Sequence, residues 1–366
     1  MRHCLLSIIV LLLIASCSKK EESRSSKITP KLDSLFATVK DFSGVVLVAD
    51  SGRVLYHKAF GSQNFDTKEP MDTSSIFELA SVSKQFTAMV IMMLKEEGKL
   101  NYDDAVEKYI PNLPYKGITI RHLLTHTSGL PDYIEVMDQH WDKTKVAGNP
   151  ESIEYLLKYS PPKHFEPGEK YEYSNTGYML LASIAEKASG IPFVSFSRTR
   201  IFVPLEMTSS DIRSQEQKKL LRNMAWGHIW VPEKNAYIRA DSMPQNDYNV
   251  WLGNRKGPGR ISSCTRDLLK WDQTLYKEKL VNNSTLSEAF TPMKLSSGEI
   301  SNYGFGWSLE THPQLGRVVR HSGGNPGYIT HIVRYIDRNR TIIILCNNQH
   351  GKFGELLSGA ETITNF

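Results

Sequence analysis

Ser81-Val82-Ser83-Lys84 places a hydroxyl and an amine three residues apart. On a helix, i and i+3 share a face with Cβ atoms about 5–6 Å apart, so the lysine nitrogen reaches the serine one turn back. That pairing suits nucleophilic catalysis, in which a weak hydroxyl needs a neighbouring activator. The S-x-x-K spacing also occurs at Ser16 and Ser160, but Ser16 lies in the leading apolar segment and Ser160 precedes Pro161-Pro162, which blocks a helix. Only Ser81 opens an apolar-periodic stretch, where a helix N-terminus favours developing negative charge. Downstream, Tyr173-Ser174-Asn175 adds a phenol and an amide between Pro167-Gly168 and a helix, and His321-Ser322-Gly323 adds an imidazole at the end of a strand. Taken singly, the last two read as a buried loop tyrosine and a glycine turn; their conjunction with Ser81 and Lys84 is far more specific.

Other chemistries find little support. The chain has no G-x-S-x-G elbow, no G-x-x-x-x-G-K-[ST] loop and no complete G-x-G-x-x-G. Gly257-Pro-Gly259 and Gly304-Phe-Gly306 read as turns. His122 and His126 have the spacing of a zinc helix without its glutamate, so they read as structural. No motif implies a metal or an organic cofactor.

The elements that must position these groups follow from periodicity. Gly44 to Ala49 and Arg53 to Phe60 read as two strands around Asp50-Ser51-Gly52. Ser74 to Leu100 reads as a helix from the spacing of Phe77, Phe86, Met89, Val90, Met93 and Leu94, and Tyr178 to Ala188 as another. Residues from about 101 to 300 are helical and loop-rich. Strand signals return at Arg317–Arg320, Tyr328–Ile336 and Thr341–Cys346. Strands at both ends that pair in one sheet make the middle an inserted helical domain, so the expected class is α/β (α+β), an antiparallel sheet flanked by helices.

Composition bounds the rest. The 366 residues are 40% hydrophobic and 23% charged, which excludes collagen, a disordered tail and a multi-span membrane protein. A balance of 44 basic and 39 acidic residues without a basic stripe gives no nucleic-acid footprint. Leu5 to Ala15 is too short to span a bilayer and, after Arg2, reads as a secretory signal over residues 1–16. Ile14-Ala-Ser-Cys17 is similar to a bacterial lipobox, which implies a lipidated Cys17 and a membrane-anchored protein of the bacterial cell envelope. Residues 17–34 are then expected to be lipid anchor and polar tether. Cys264 and Cys346 remain, too few for a disulfide framework, and are expected as buried free thiols. Oligomeric state has no signal in the sequence.

The three boxes resemble the serine β-lactamases of class C and the penicillin-binding, D-alanyl-D-alanine peptidase and esterase relatives grouped with them. Arg121-His-Leu-Leu-Thr-His-Thr-Ser-Gly-Leu-Pro131, Phe165-Glu-Pro-Gly168, Ile261-Ser-Ser-Cys-Thr-Arg-Asp-Leu-Leu-Lys-Trp271 and Tyr303-Gly-Phe-Gly-Trp307 extend the likeness over roughly 35 to 350. The resemblance implies a β-lactamase/transpeptidase-like domain over 35–366, with a sheet part near 35–75 and 310–366 and a helical part near 95–305. It implies a serine hydrolase acting on a small molecule, short peptide or ester through a Ser81 acyl-enzyme. The base is Tyr173 as phenolate beside the Lys84 cation, or a neutral Lys84 with Tyr173 relaying a proton. By the same resemblance the backbone N–H groups of Ser81 and Gly324 form the oxyanion hole, Asn175 orients the acyl side chain, and His321 with Gly323 forms the opposite wall. One departure matters: class C enzymes carry Lys-Thr-Gly where this chain has His321-Ser322-Gly323, so a substrate carboxylate loses part of its charge partner. The alternatives are a true β-lactamase or D-alanyl-D-alanine carboxypeptidase, and a non-catalytic protein that binds cell-wall fragments.

Overall fold

The structure, a computed structural model, describes residues 24–365. The expected signal segment and Cys17 lie outside the described residues. Six antiparallel strands form the main sheet: β1 (Gly44–Asp50), β2 (Arg53–Phe60), β3 (Ser308–His312), β4 (Gly316–Asn325), β5 (Tyr328–Tyr335) and β6 (Arg340–Cys346), in the order β3-β4-β5-β6-β1-β2. The first hairpin therefore joins the C-terminal meander through β1 and β6, in register from Gly44 opposite Cys346 to Asp50 opposite Arg340.

Every residue of β1 and β6 is buried, which is why both read as near-continuous apolar runs. The pleat sends alternate side chains to two separate cores. Val45, Leu47, Ile343 and Leu345 join the large core shared with the helical region. Val46, Val48, Ile342 and Ile344 face a second core, capped by helices α1 (residues 24–38) and α5 (Phe353–Thr364). On the first face lie α2 (Lys84–Glu96), α3 (Asn175–Ser189) and α4 (Thr265–Thr274).

Three local expectations change. Residues 24–34, expected as tether, lie in α1, where Ile28, Leu32 and Phe36 follow a four-residue spacing and are at most 2% exposed against the sheet. Asp33 also accepts hydrogen bonds from Tyr56 (2.8 Å) and Lys58 (2.9 Å) on β2, so this segment is stitched to the hairpin. Lys27, Lys31 and Ser34 are exposed on the helix's outer face. Second, the helix expected from Ser74 begins later. Phe77–Glu78 is a short strand in a three-stranded sheet with Ile261–Ser263 and Asp211–Ile212, followed by a 3₁₀ turn at Ala80–Ser83. Third, β3 and α5 add an edge strand and a cap that the sequence reading did not include.

The serine-bearing turn is clamped from both sides. Leu79 donates its N–H to the Ile261 carbonyl at 2.8 Å, and Ser83 Oγ accepts from the Ile261 N–H at 3.2 Å. From the main sheet, Thr330 Oγ1 on β5 donates to the Leu79 carbonyl at 2.7 Å. Gly323 of β4 fits beneath that carbonyl: a Cβ there would lie 2.2 Å from Leu79 O and 2.4 Å from Thr330 Oγ1, so no other residue can occupy the position without moving the turn. Between these clamps Ala80 is held at φ +47, a left-handed conformation that costs an alanine of order 1–2 kcal/mol. The surrounding bonds hold the strain immediately before Ser81.

Candidate active site

Ser81 sits in the 3₁₀ turn and Lys84 is the first residue of α2, so the expected one-turn spacing is realised across the junction of two helix types. Lys84 Nζ lies 3.1 Å from Ser81 Oγ, 3.0 Å from Asn175 Oδ1 and 2.9 Å from the Pro258 carbonyl. The amine is fully buried, and desolvation holds its pKa well below the ordinary lysine value; Asp132 opposes this and Arg255 adds to it. A neutral amine has two N–H donors and one lone pair. Asn175 Oδ1 and the Pro258 carbonyl can only accept, so they take the two N–H groups. Ser81 Oγ, which can donate as well as accept, takes an N–H from the charged amine and can turn its own O–H to the lone pair once that proton is lost.

Asn175 opens α3 behind the N-cap Ser174, whose side chain accepts from the Gly177 N–H at 3.3 Å. That cap fixes Tyr173 and Asn175 on either side of it, with the Tyr173 ring centroid 4.7 Å from Lys84 Nζ. Tyr173 is 40% exposed, but shielding of the hydroxyl raises its pKa, against a lowering hydrogen bond with Ser81. The phenol is therefore protonated at neutral pH, beside an amine that is easily deprotonated.

His321 lies on β4 behind Tyr173, with ring centroids 6.3 Å apart. Its Nδ1 is 2.6 Å from the Ser322 carbonyl, which can only accept, so Nδ1 carries the proton. Nε2 then accepts from the Tyr303 hydroxyl at 2.8 Å. Burial, followed by the nearby Lys84, lowers the His321 pKa to about 3, so this ring is neutral throughout the physiological range. Gly323 supports the Ser81 turn, while Gly324 is open: a Cβ there would meet nothing within 4 Å. Gly324 and Ser81 line one cleft of about 90 Å³, together with Asn175, Tyr133, Ile134, Tyr248, Arg255, Pro258 and Asn325. A larger hollow of about 660 Å³ opens beyond Tyr171 and Tyr303. The smaller cleft holds Ser81, so the chemistry belongs there.

The structure thus brings Ser81, Lys84, Tyr173, Asn175, His321, Gly323 and Gly324 together. It also adds groups that the sequence reading gave no role. His126, at φ +58 and fully buried, packs at tilted angles against the rings of Tyr173, Tyr178 and Tyr303, 4.3–5.0 Å between centroids, while its Nδ1 accepts from the Ser174 N–H at 3.1 Å. It is a wedge that sets the Tyr173 loop. His122 instead closes a capping box with Thr119, so the two histidines serve different ends. Among the described residues no group of three or more His, Cys, Asp or Glu could hold a metal ion. Gly257 and Gly259 are turns, as expected, and their role is to present the Pro258 carbonyl to Lys84. Cys264 and Cys346 are buried free thiols.

A protonated phenol, a depressed lysine and a serine on a strained turn, held between the end of β4 and a helix N-terminus, are the parts of a serine hydrolase. A family model described as Beta-lactamase matches residues 32–362, and the chain belongs to that family. It is 41% identical over 338 residues to penicillin-binding protein 4* of Bacillus subtilis, covering 91% of this chain and 75% of that protein. It is 27% identical over 310 residues to protein flp of Staphylococcus aureus, covering 82% of this chain and 59% of that protein. Among solved structures, the octameric penicillin-binding protein homologue from Pyrococcus abyssi superposes with a TM-score of 0.78 at 26% identity, over 93% of this chain and 76% of that one. The D-amino acid amidase from Ochrobactrum anthropi SV3 shares the fold, with a TM-score of 0.75 at 23% identity over 94% of this chain and 99% of that one.

Proposed function

We propose that this serine hydrolase cleaves an ester or amide through an acyl-enzyme on Ser81, with neutral Lys84 as the base. The observation that carries the reading is the Lys84 environment: two pure acceptors and one hydroxyl around a fully buried nitrogen. Ser81 Oγ bonds to the substrate carbonyl carbon as its proton passes to Lys84 Nζ. The Ser81 and Gly324 N–H groups face the resulting oxyanion; each such donor is typically worth about 10²–10³ in rate. Collapse of the adduct breaks the bond to the leaving oxygen or nitrogen, which takes a proton from Lys84 by way of the Tyr173 hydroxyl. Water then attacks the acyl-enzyme and gives a proton to the same pair, which passes it to Ser81 Oγ as the acyl bond breaks and the acid leaves.

The neutral His321 supports esters and amides without a carboxylate on the leaving group, because no cation stands at that wall. The 41% identity to penicillin-binding protein 4* supports a second reading, in which β-lactams or D-alanyl-D-alanine peptides acylate Ser81. One experiment addresses both: incubation with a fluorescent fluorophosphonate and a fluorescent penicillin, for the wild type and Ser81→Ala. The expected result is stoichiometric fluorophosphonate labelling that disappears in Ser81→Ala, and labelling that survives in the variant removes Ser81 as nucleophile. Penicillin labelling of the wild type selects the second reading.

The same reading takes residues 1–16 as an export signal and Cys17 as a lipidated anchor to the cell envelope. Expressed in a bacterium, the full chain is expected in the membrane fraction and Cys17→Ser in the soluble fraction; a variant that still sediments with membranes contradicts the anchor.

A further inference from the structure

The cleft holds a cation that the chemistry at Lys84 does not use. Arg255 is 5% exposed and lines the same cleft as Ser81, Asn175 and Gly324. Its guanidinium meets only neutral acceptors at long range: the Tyr248 carbonyl at 3.4 Å, Asn249 Oδ1 at 3.2 Å and Asn325 Oδ1 at 3.5 Å. A buried guanidinium ordinarily takes a carboxylate, yet the nearby acids are engaged elsewhere. Glu78 is held by Lys218 and Arg260, at 2.5 and 3.0 Å. Asp132 Oδ1 accepts from the Ile134 N–H at 2.8 Å, and that carboxylate also faces Lys84 and Asn175. Among the described residues Glu78 is the carboxylate paired with Lys218 and Arg260, and Arg255 acts on it from farther off without a salt bridge of its own.

Two more donors on the same walls lack an acceptor. Asn325 Nδ2 is buried without a hydrogen-bond partner, on the amide whose oxygen faces Arg255. The Tyr133 hydroxyl is also buried and unpartnered. An arginine without a carboxylate, an amide N–H and a phenol O–H together offer three kinds of donor to an anion. The site lies on the Asn175 side of Ser81; His321 and Tyr303 are not among the cleft's walls.

We propose that Arg255, with Asn325 and Tyr133, binds a carboxylate on the acyl half of the substrate, so that the enzyme acts on esters or amides of dicarboxylic or N-acyl acidic residues. The assignment rests on the Ser81 acyl-enzyme reading. It places substrate charge on the side of the scissile bond opposite to that implied by a lysine in the third box.

The test compares mono-4-nitrophenyl glutarate with its methyl ester, and the matching adipate pair, using the full enzyme. The ratio of kcat/KM for the anion over its neutral ester is the readout, because it cancels any general loss of fold or nucleophile. The wild type is expected to favour the anion by roughly tenfold or more, the range of a charge-assisted hydrogen bond. Arg255→Met brings the ratio to about one or below, and Arg255→Lys keeps part of it. Asn325→Leu lowers it without abolishing it. A wild-type ratio near one overturns the proposal whether or not any variant folds, as does a ratio that survives in Arg255→Met. A preference that appears only when the anion is moved to the leaving group overturns it as well. If Ser81→Ala hydrolyses both esters like the wild type, the acyl-enzyme reading fails instead.

Discussion

Lys84→Met is expected to lower kcat/KM for an activated ester by about 10²–10⁴-fold, the usual contribution of a positioned general base. Methionine fills similar volume but its thioether sulfur is far too weak a base to take the Ser81 proton, so the nucleophile reverts to an unassisted alcohol. A loss of less than tenfold, measured with a 4-nitrophenyl ester, would place the base elsewhere. The pH profile sharpens the assignment. Only the neutral amine accepts a proton, so kcat/KM falls as pH drops through the Lys84 pKa, which desolvation has moved well below the ordinary lysine value. The limb is expected to remain in Tyr173→Phe and vanish in Lys84→Met; the reverse pattern would restore the phenolate mechanism. His321, lowered to about 3, contributes no step between pH 5 and 8.

Glu78→Leu is expected to cost about 3–5 kcal/mol of unfolding free energy, among the larger effects available to one substitution. Burial by itself would raise this carboxyl; Lys218 and then Arg260 outweigh burial and bring its pKa to about 2. Burial and then Arg260 lower Lys218 to about 8, against the pull of Glu78. Removing the one anion leaves the Lys218 and Arg260 charges in a dry interior, with Arg255 close by. Urea unfolding at pH 7 measures the loss, and a change below 1 kcal/mol would show that the cations find water or other partners. The pH dependence has a definite sign. The folded pKa lies below the unfolded value, so the carboxylate's stabilisation is complete above about pH 5 and disappears as pH falls towards 2. Acid sensitivity across that window should weaken in Glu78→Leu.

Much of the reacting centre was legible from residue types alone, because a hydroxyl and an amine at i, i+3 carry their own geometric meaning. Tyr173, Asn175 and His321 became convincing as a set, and the folded chain does bring them around Lys84. What could not be read were groups whose role depends on contacts across the fold. Arg255 looks like any loop arginine until Glu78 is seen to belong to Lys218 and Arg260. His126 reads as structural from the missing glutamate, but its particular place comes from the left-handed backbone that turns it into the Tyr173 loop. The same limit applies to the fold. The central strands announced themselves by continuous apolar runs, whereas residues 24–34 hid a core face of Ile28 and Leu32 among charged neighbours. The start of α2 was misplaced because Phe77 fits a helical spacing but is recruited by Ile261–Ser263 into a small sheet.

The two free thiols among the described residues give the domain a pair of internal clocks. Cys346 ends β6 in the middle of the main sheet and is 0% exposed, and burial raises its pKa to about 11. Cys264 caps α4, where the small sheet hands the chain to the helical region, and is 4% exposed with its pKa also raised by burial. A thiol reagent needs an accessible thiolate, so each cysteine reacts only when its own surroundings open. Their separate alkylation rates therefore time the loosening of the sheet and of the turn behind Ser81 independently, in an unmodified protein and without any added label.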